Sequence, residues 1–444
     1  MHRRHFVSAA ITAGAGFALS AAGPQPQAPK VTRPRATSGD AIEPNWAERV
    51  KVTVGRAKAD LIGADHRVLQ AAVDYVAGLG GGTVHVLPGE YRFRNAVKLR
   101  SNVRILGSGA DSVCIKEASI KTLLAENSDW YDQEVTLTDP TGFQVGDGIV
   151  LRTRNPHNGS HDVYKRTLVA RSGKRFRLDQ MLTENYWTHE GAVASTMFAL
   201  FDGFRIQDAV IENISLDGNR ANNEYLNGNY VGCIFLRESN RIHMRGVEAR
   251  NFNGDGISWQ VCHDVRVENC RSHGHGGYAL HPGSGSQRSV VTGCSLERSE
   301  IGFFFCWGVK WALVENNKML DNKRYGVSIG HNDTDNIVRN NQVERSGKTG
   351  IFLRQEHGPT FAPSRNLIEA NRVVDSGDEK GVAVDIEGFT ESVTLRRNVV
   401  LETRQAASRV GVRIGKDAKQ IQLAENRIEG FSVAVVDAAA KKPV

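Results

Sequence analysis

Proline and cysteine are scarce in this chain. There are 12 prolines and six cysteines in 444 residues, which excludes a proline-rich extended scaffold and a disulfide-dense secreted framework. The cysteines are Cys114, Cys233, Cys262, Cys270, Cys294 and Cys306, and no two of them form C-x-x-C. A zinc ribbon and a thioredoxin-like redox site are therefore excluded. Aromatic residues make up 7% of the chain and are not interleaved with basic stripes, so nothing reads as a nucleic-acid surface. Long apolar runs are also missing. The stretch from Ala9 to Ala22 is short and rich in Gly and Ala, unlike a membrane span. The formal charge of +7 favours acidic partners, acidic polysaccharide among them.

What the chain has in quantity is glycine, 45 residues, and it is periodic. A glycine followed by alternating apolar residues recurs at Gly232, Gly256, Gly302, Gly326, Gly350, Gly381 and Gly411, with Ala279 filling one place. The interval is 23 or 24 residues up to Gly350 and 30 or 31 after it. Such a period is the mark of a solenoid. The leucine pattern and helices of leucine-rich repeats are absent, which leaves short strands and turns. A second series keeps the same register: Cys270, Cys294, Asn317, Asn341, Asn371, Asn398 and Asn426. Stacked one coil above the next, about 4.8 Å apart, asparagines can bond amide to amide inside a tight turn. Cys270 and Cys294 read as buried thiols in that stack, with an inter-coil disulfide as the alternative. Ile257 and Trp259, Phe303 and Phe305, Val327 and Ile329, Ile351 and Leu353 recur at period two and belong inside the tube.

The ends and one interruption complete the plan. Residues 65–77 read as an amphipathic helix, placed to cap the open end of the solenoid. Residues 130–195 break the rhythm and predict a small antiparallel β insertion. At the front, Arg3-Arg4 followed by Phe6 and Val7 resembles a twin-arginine export signal. The expected organisation is an export signal over 1–22, a disordered linker over 23–42 and one β-helix domain over 43–444. The mature protein is then periplasmic or extracellular, off the membrane, and a monomer or a trimer.

The run Gly80-Gly-Gly-Thr-Val-His-Val-Leu-Pro-Gly-Glu-Tyr, then Ser101-Asn-Val-Arg-Ile-Leu-Gly, then coils with Asn turns and a Gly-apolar strand, resembles the pectate-lyase and polygalacturonase superfamily. The resemblance covers about residues 43–444. It implies an all-β, right-handed parallel β-helix that binds and cleaves polysaccharide. It carries no reaction over. Gly274-His275-Gly276 lacks the paired aspartates that accompany such a motif in polygalacturonases, and His275 reads as a turn residue. Arg413-Ile414-Gly415-Lys416 is not Arg-Ile-Lys. Leu280-His281-Pro282-Gly283 lacks the leading Asp of the alginate-epimerase Asp-Pro-His motif.

Ligands of a β-helix lie across outward strand positions. Those positions and the turns after them give Gln260, His281, Trp307, His331, Asp333, Asp335, Arg354, Glu356, His357, Asp385 and Glu387. Two chemistries fit. In β-elimination, Arg354 or Ca²⁺ neutralises a uronate carboxylate, and His281 or His331 takes the C5 proton. In glycoside hydrolysis, Asp385 works with Glu356 or Glu387. Gln260, Trp307 and His357 are candidates for holding the sugar. Asp333 and Asp335 are candidate Ca²⁺ ligands, and Ca²⁺ is the one cofactor the sequence admits. The central histidines and arginine, with the basic charge, favour elimination. A non-catalytic binding or surface protein is the remaining class.

Overall fold

The computed structural model describes residues 43–155, 159, 161–404 and 408–440. From residue 232 onward each coil makes three strands. Asp255–Gln260 is followed by Arg266–Glu268 and Arg271–His273, and the chain returns at Tyr278–Gly283 one layer on. The coils pair in parallel, with Ile257 opposite Leu280, Val267 opposite Val291 and Ser272 opposite Leu296. The first strands of successive coils form an 11-stranded front sheet that runs from Val97–Lys98 to Val433–Asp437. This is the parallel β-helix that the period predicts.

The turn between the two short strands of a coil explains the asparagine series. A left-handed residue precedes each ladder position, as Asn340 (φ 55°) precedes Asn341 and Arg397 (φ 55°) precedes Asn398. The side-chain amides then run up the stack. Asn317 donates to Asn341 at 3.0 Å, Asn341 to Asn371 at 2.9 Å, Asn371 to Asn398 at 3.1 Å and Asn398 to Asn426 at 2.9 Å. Each acceptor oxygen also receives the backbone N–H of the preceding asparagine. Cys270 and Cys294 continue the stack as free, buried thiols. The Cys294 thiol donates to Val267 O as the Asn317 amide donates to Val291 O, so a thiol stands in for an amide. A second stack joins Asn336 to Asn366 at 3.1 Å. The sequence reading did not single it out.

The periodic glycines follow from the tube's narrow interior. A Cβ on Gly326 would strike the side chain of Val343, one on Gly350 that of Val373, and one on Gly411 that of Ile428. Ile257, Trp259, Phe303, Phe305, Val327, Ile329, Ile351 and Leu353 fill the core and are fully buried. Each contributes roughly 1.5–3 kcal/mol of transfer free energy.

Helix His66–Gly78 closes the N-terminal end. Asp65 caps it by accepting from Arg67 N and Val68 N, and Leu69, Ala72, Val73 and Val76 are buried on the tube. The insertion is antiparallel as expected, but its six-stranded arrangement starts at Lys121 and ends at Ser195. The three-residue strand Lys121–Leu123 is too short to show alternation in sequence. The insertion has its own core, including Phe143, Leu151, Phe176 and Tyr186. It overlies the early front sheet, where Lys165 sits 4.0 Å above the Phe235 ring and 3.3 Å from Asp202. The expected export signal and linker lie outside the described residues. Among the described residues no helix is long and apolar enough to cross a membrane.

Candidate functional site

The front sheet aligns its outward residues into rows. One row runs Ser258, His281, Phe304, Ser328, Phe352, Asp385 and Arg413. The row beside it runs Gln260, Gly283 and Cys306. These strand ends hold most of the candidates, but they do not form one open face. Segment 218–231 crosses the earlier coils, and Ser258 donates its hydroxyl to Gly228 O at 2.7 Å.

His281 lies beneath this cover, 1% exposed. Its Nδ1 is 2.6 Å from Asp255 Oδ2, and the other oxygen of Asp255 accepts from Tyr278 N at 2.8 Å. Asp255 is itself buried and flanked by Gly228 and Gly277, where a Cβ would overlap the carboxylate. A carboxylate oxygen accepts, so Nδ1 is the donor in this bond. Among the described residues Nε2 has no hydrogen-bond partner. An unpartnered buried polar atom costs about 1–3 kcal/mol. The Tyr278 and Phe304 rings stand edge-on to the imidazole at 5.3 and 5.2 Å, and both are partly exposed. Burial, with Asp255 and Tyr225 nearby, holds the Tyr278 phenol above its ordinary range and therefore protonated.

Arg354 follows the front strand three coils beyond that of His281 and reaches the same Phe304 ring. It passes over Gly330, where a Cβ would overlap the guanidinium, and donates to Ser328 Oγ at 2.9 Å and Phe305 O at 3.2 Å. Its Cζ is 4.6 Å from the centre of the Phe304 ring. Phe304 is thus shared by His281, Tyr278 and Arg354. Gly283 and Gly330 make room for Gln260 and Arg354 rather than open space for a ligand. Arg354 also approaches Glu356 at 3.4 Å and Asp333 at 3.8 Å.

The other candidates are distributed around this centre. Trp307 is 63% exposed and stacks on His331 at 4.8 Å, and His331 lies against Phe361 at 4.6 Å. His331 is 3.7 Å from Glu356, and His357 is exposed on the segment that follows. Gln260 is buried and bonded to Ser258 and Ser284. Asp385 receives two bonds from Arg413, which also bonds Glu387 at 2.9 Å. Burial, reinforced by Asp385, raises the Glu387 pKa.

One expectation needs correction. Asp333 and Asp335 do not converge on a metal site. The Asp333 carboxylate accepts from Val309 N and Gly330 N, while Asp335 is clamped by Arg365 at 2.8 Å through both oxygens. Among the described residues no group of three or more His, Cys, Asp or Glu is placed to hold a metal. Arg354 and Asp385 do not pair with each other, because Arg413 takes Asp385. His275 is the turn residue expected. It is buried, accepts from Phe252 N and meets Ser272 Oγ at 3.0 Å, and burial pushes its pKa down to about 3.

The site members missed in sequence are Asp255, Tyr278, Phe304 and Ser328. Their signal is register: Asp255 and Tyr278 occupy equivalent places, each immediately before a periodic Gly or Ala.

The fold and this geometry define a right-handed parallel β-helix protein. Residues 232–400 match the family model described as right handed beta helix region. Among curated proteins, a mannuronan C5-epimerase of Pseudomonas putida is 29% identical over 101 residues, 22% of this chain and 18% of the epimerase. The match therefore spans less than a fifth of that relative. Among solved structures, the surface adhesin PfbA of Streptococcus pneumoniae superposes with a TM-score of 0.53 at 13% identity, covering 83% of this chain and 88% of the adhesin. The Dettilon tailspike protein superposes with a TM-score of 0.51 at 9% identity, covering 84% of this chain and 64% of the tailspike. These two likenesses are likenesses of fold.

Proposed function

We propose that this protein is an exported carbohydrate-active enzyme that removes the C5 proton from a uronate residue of an acidic polysaccharide. The observation that carries the reading is the unpartnered Nε2 of His281, with Nδ1 held by Asp255. The substrate turns aside the partly exposed Tyr278 and Phe304 rings and brings C5–H to Nε2. Arg354 pairs with the uronate carboxylate, so the electron pair left on C5 is delocalised onto a neutralised group. In β-elimination the C4–O bond then breaks, a C4–C5 double bond forms, and the Tyr278 hydroxyl protonates the departing oxygen. Return of a proton to the opposite face of C5 instead gives the epimer, the activity for which the Pseudomonas relative is named. Trp307 offers an exposed indole for stacking a sugar beyond the reacting one. The part of the proposal that concerns export rests on Arg3-Arg4 and the short apolar stretch from Ala9 to Ala22, read as an export signal.

A second reading is hydrolysis. Asp385 is held by Arg413, while the neighbouring Glu387 has a raised pKa. Two carboxyls with environments that differ in this way can divide the roles of base and acid.

The test incubates the purified chain with alginate, pectate and a neutral glucan. It follows unsaturated uronate by ultraviolet absorbance, reducing ends, and C5 configuration by proton NMR. Elimination raises the first two together, and epimerisation changes the third alone. Reducing ends alone establish the hydrolytic reading. Binding with no change in any channel rejects both and leaves a carbohydrate-binding protein.

A further inference from the structure

The outward aromatic residues of the front sheet alternate from coil to coil. Along one row stand Tyr278, Ile301, Tyr325 and Thr349, and along the next His281, Phe304, Ser328 and Phe352. Each tyrosine leans diagonally onto the phenylalanine of the following coil. Tyr278 meets Phe304 at 4.3 Å and 36°, and Tyr325 meets Phe352 at 4.8 Å and 37°. All four rings are partly exposed. Each pair also carries a guanidinium. Arg354 lies 4.6 Å from the Phe304 ring and Arg324 5.1 Å from the Tyr325 ring. The Tyr–Phe pair is therefore built twice, two coils apart, and each pair has an arginine against one of its rings, Arg354 on the phenylalanine of the first and Arg324 on the tyrosine of the second. The second copy has no histidine in the place of His281, because Ser328 stands there.

Packing alone does not require this repetition. Ile301 and Thr349 occupy the intervening tyrosine places and are buried, so an aliphatic residue suits the row. Two coils rise about 9.6 Å, the length of one disaccharide in an extended chain. In an extended polysaccharide with two-fold character, every second sugar turns the same face to a surface. An aromatic pair suits a sugar face, and a guanidinium beside it suits a carboxylate.

We propose that Tyr325, Phe352 and Arg324 form a second sugar subsite, two residues along the polymer from the one at His281. It selects an extended acidic polysaccharide that presents a carboxylate on alternate sugars. The inference rests on the reading of the His281 centre as an acidic-polysaccharide site, and it extends that reading to substrate length and charge pattern. The subsite binds and positions the chain and takes no part in bond making.

The experiment is a calorimetric comparison of dimannuronate and hexamannuronate, with digalacturonate and hexagalacturonate as a second acidic pair and cellohexaose as the neutral control. Wild type binds an acidic hexasaccharide more tightly than its disaccharide, which is too short to span both subsites. In Tyr325→Ala and Phe352→Ala that length advantage shrinks by about tenfold. In Arg324→Gln the preference for the acidic over the neutral hexasaccharide shrinks. Circular dichroism confirms that the variants fold. An unchanged length advantage in both aromatic variants overturns the proposal, as does failure of wild type to bind either acidic hexasaccharide. The readout is binding, so it separates from catalysis. A length advantage without any product supports this subsite while rejecting the catalytic reading. Product formation with an unaltered length advantage does the reverse.

Discussion

An imidazole serves as a base near neutral pH when one nitrogen is fixed and the other is free. Asp255 fixes Nδ1 of His281 by a 2.6 Å bond. Asp255→Asn replaces an obligatory acceptor with a group that can also donate, so the correct tautomer is no longer enforced. Turnover should fall by about 10²–10⁴-fold with substrate affinity little changed, as steady-state kinetics would show. Asp333 makes a different prediction. Burial raises its pKa from 3.8 to about 6. Between about pH 4 and pH 6 the folded chain holds a proton that the unfolded chain has lost, so stability decreases as pH rises through that window. Asp333→Asn should abolish that component, of the order of 2–3 kcal/mol, read as the difference in urea midpoint between the two proteins from pH 4 to pH 7. At this scale the sequence was legible for His281 and Arg354, because position in the repeat puts both on the front sheet. Asp255 was not legible as their companion. Its contact with His281 spans a whole coil and depends on Gly228 and Gly277 leaving the carboxylate room.

At the scale of elements, the asparagine stack is the feature most open to test. Asn341 accepts from the Asn317 backbone and side chain and donates to Val314 O and Asn371. Asn341→Ala strands several buried groups at once and should cost about 3 kcal/mol. Asn426, at the partly exposed end of the stack, should cost less on the same change, with thermal unfolding as the readout. The cover over the front sheet depends on Lys116. It is fully buried and donates to Thr196 O at 2.8 Å and Asn223 Oδ1 at 2.5 Å, tying the end of the insertion to segment 218–231. Lys116→Met should cost about 2 kcal/mol and speed proteolytic cleavage within 218–231. The asparagine stack was legible because it repeats at a fixed interval. The cover was not, because it is an irregular segment whose contacts are with residues distant in sequence.

For the whole molecule, the period of the chain is also the period of the tube. A small residue, glycine or Ala279, and an asparagine or cysteine in the turn recur once per coil, so the fold could be read from spacing alone. The proposed centre lies where the repeat is broken, at His281 among serines and aromatics and at an arginine drawn over a glycine. A repeat pattern shows where such departures occur but not which of them meet in space. It also gave no sign that Asp333 and Asp335 point apart, since the two side chains are directed by different turns. The central claim is that His281 takes a proton from C5 of a uronate. The most direct measurement is solvent deuterium incorporation at C5 of alginate and pectate, or loss of the C5 proton into unsaturated product, with wild type and His281→Ala compared by NMR. The account predicts exchange or loss at C5 with wild type on an acidic polymer and none with His281→Ala. Cleavage that leaves every C5 proton in place, or exchange that persists without His281, would contradict it.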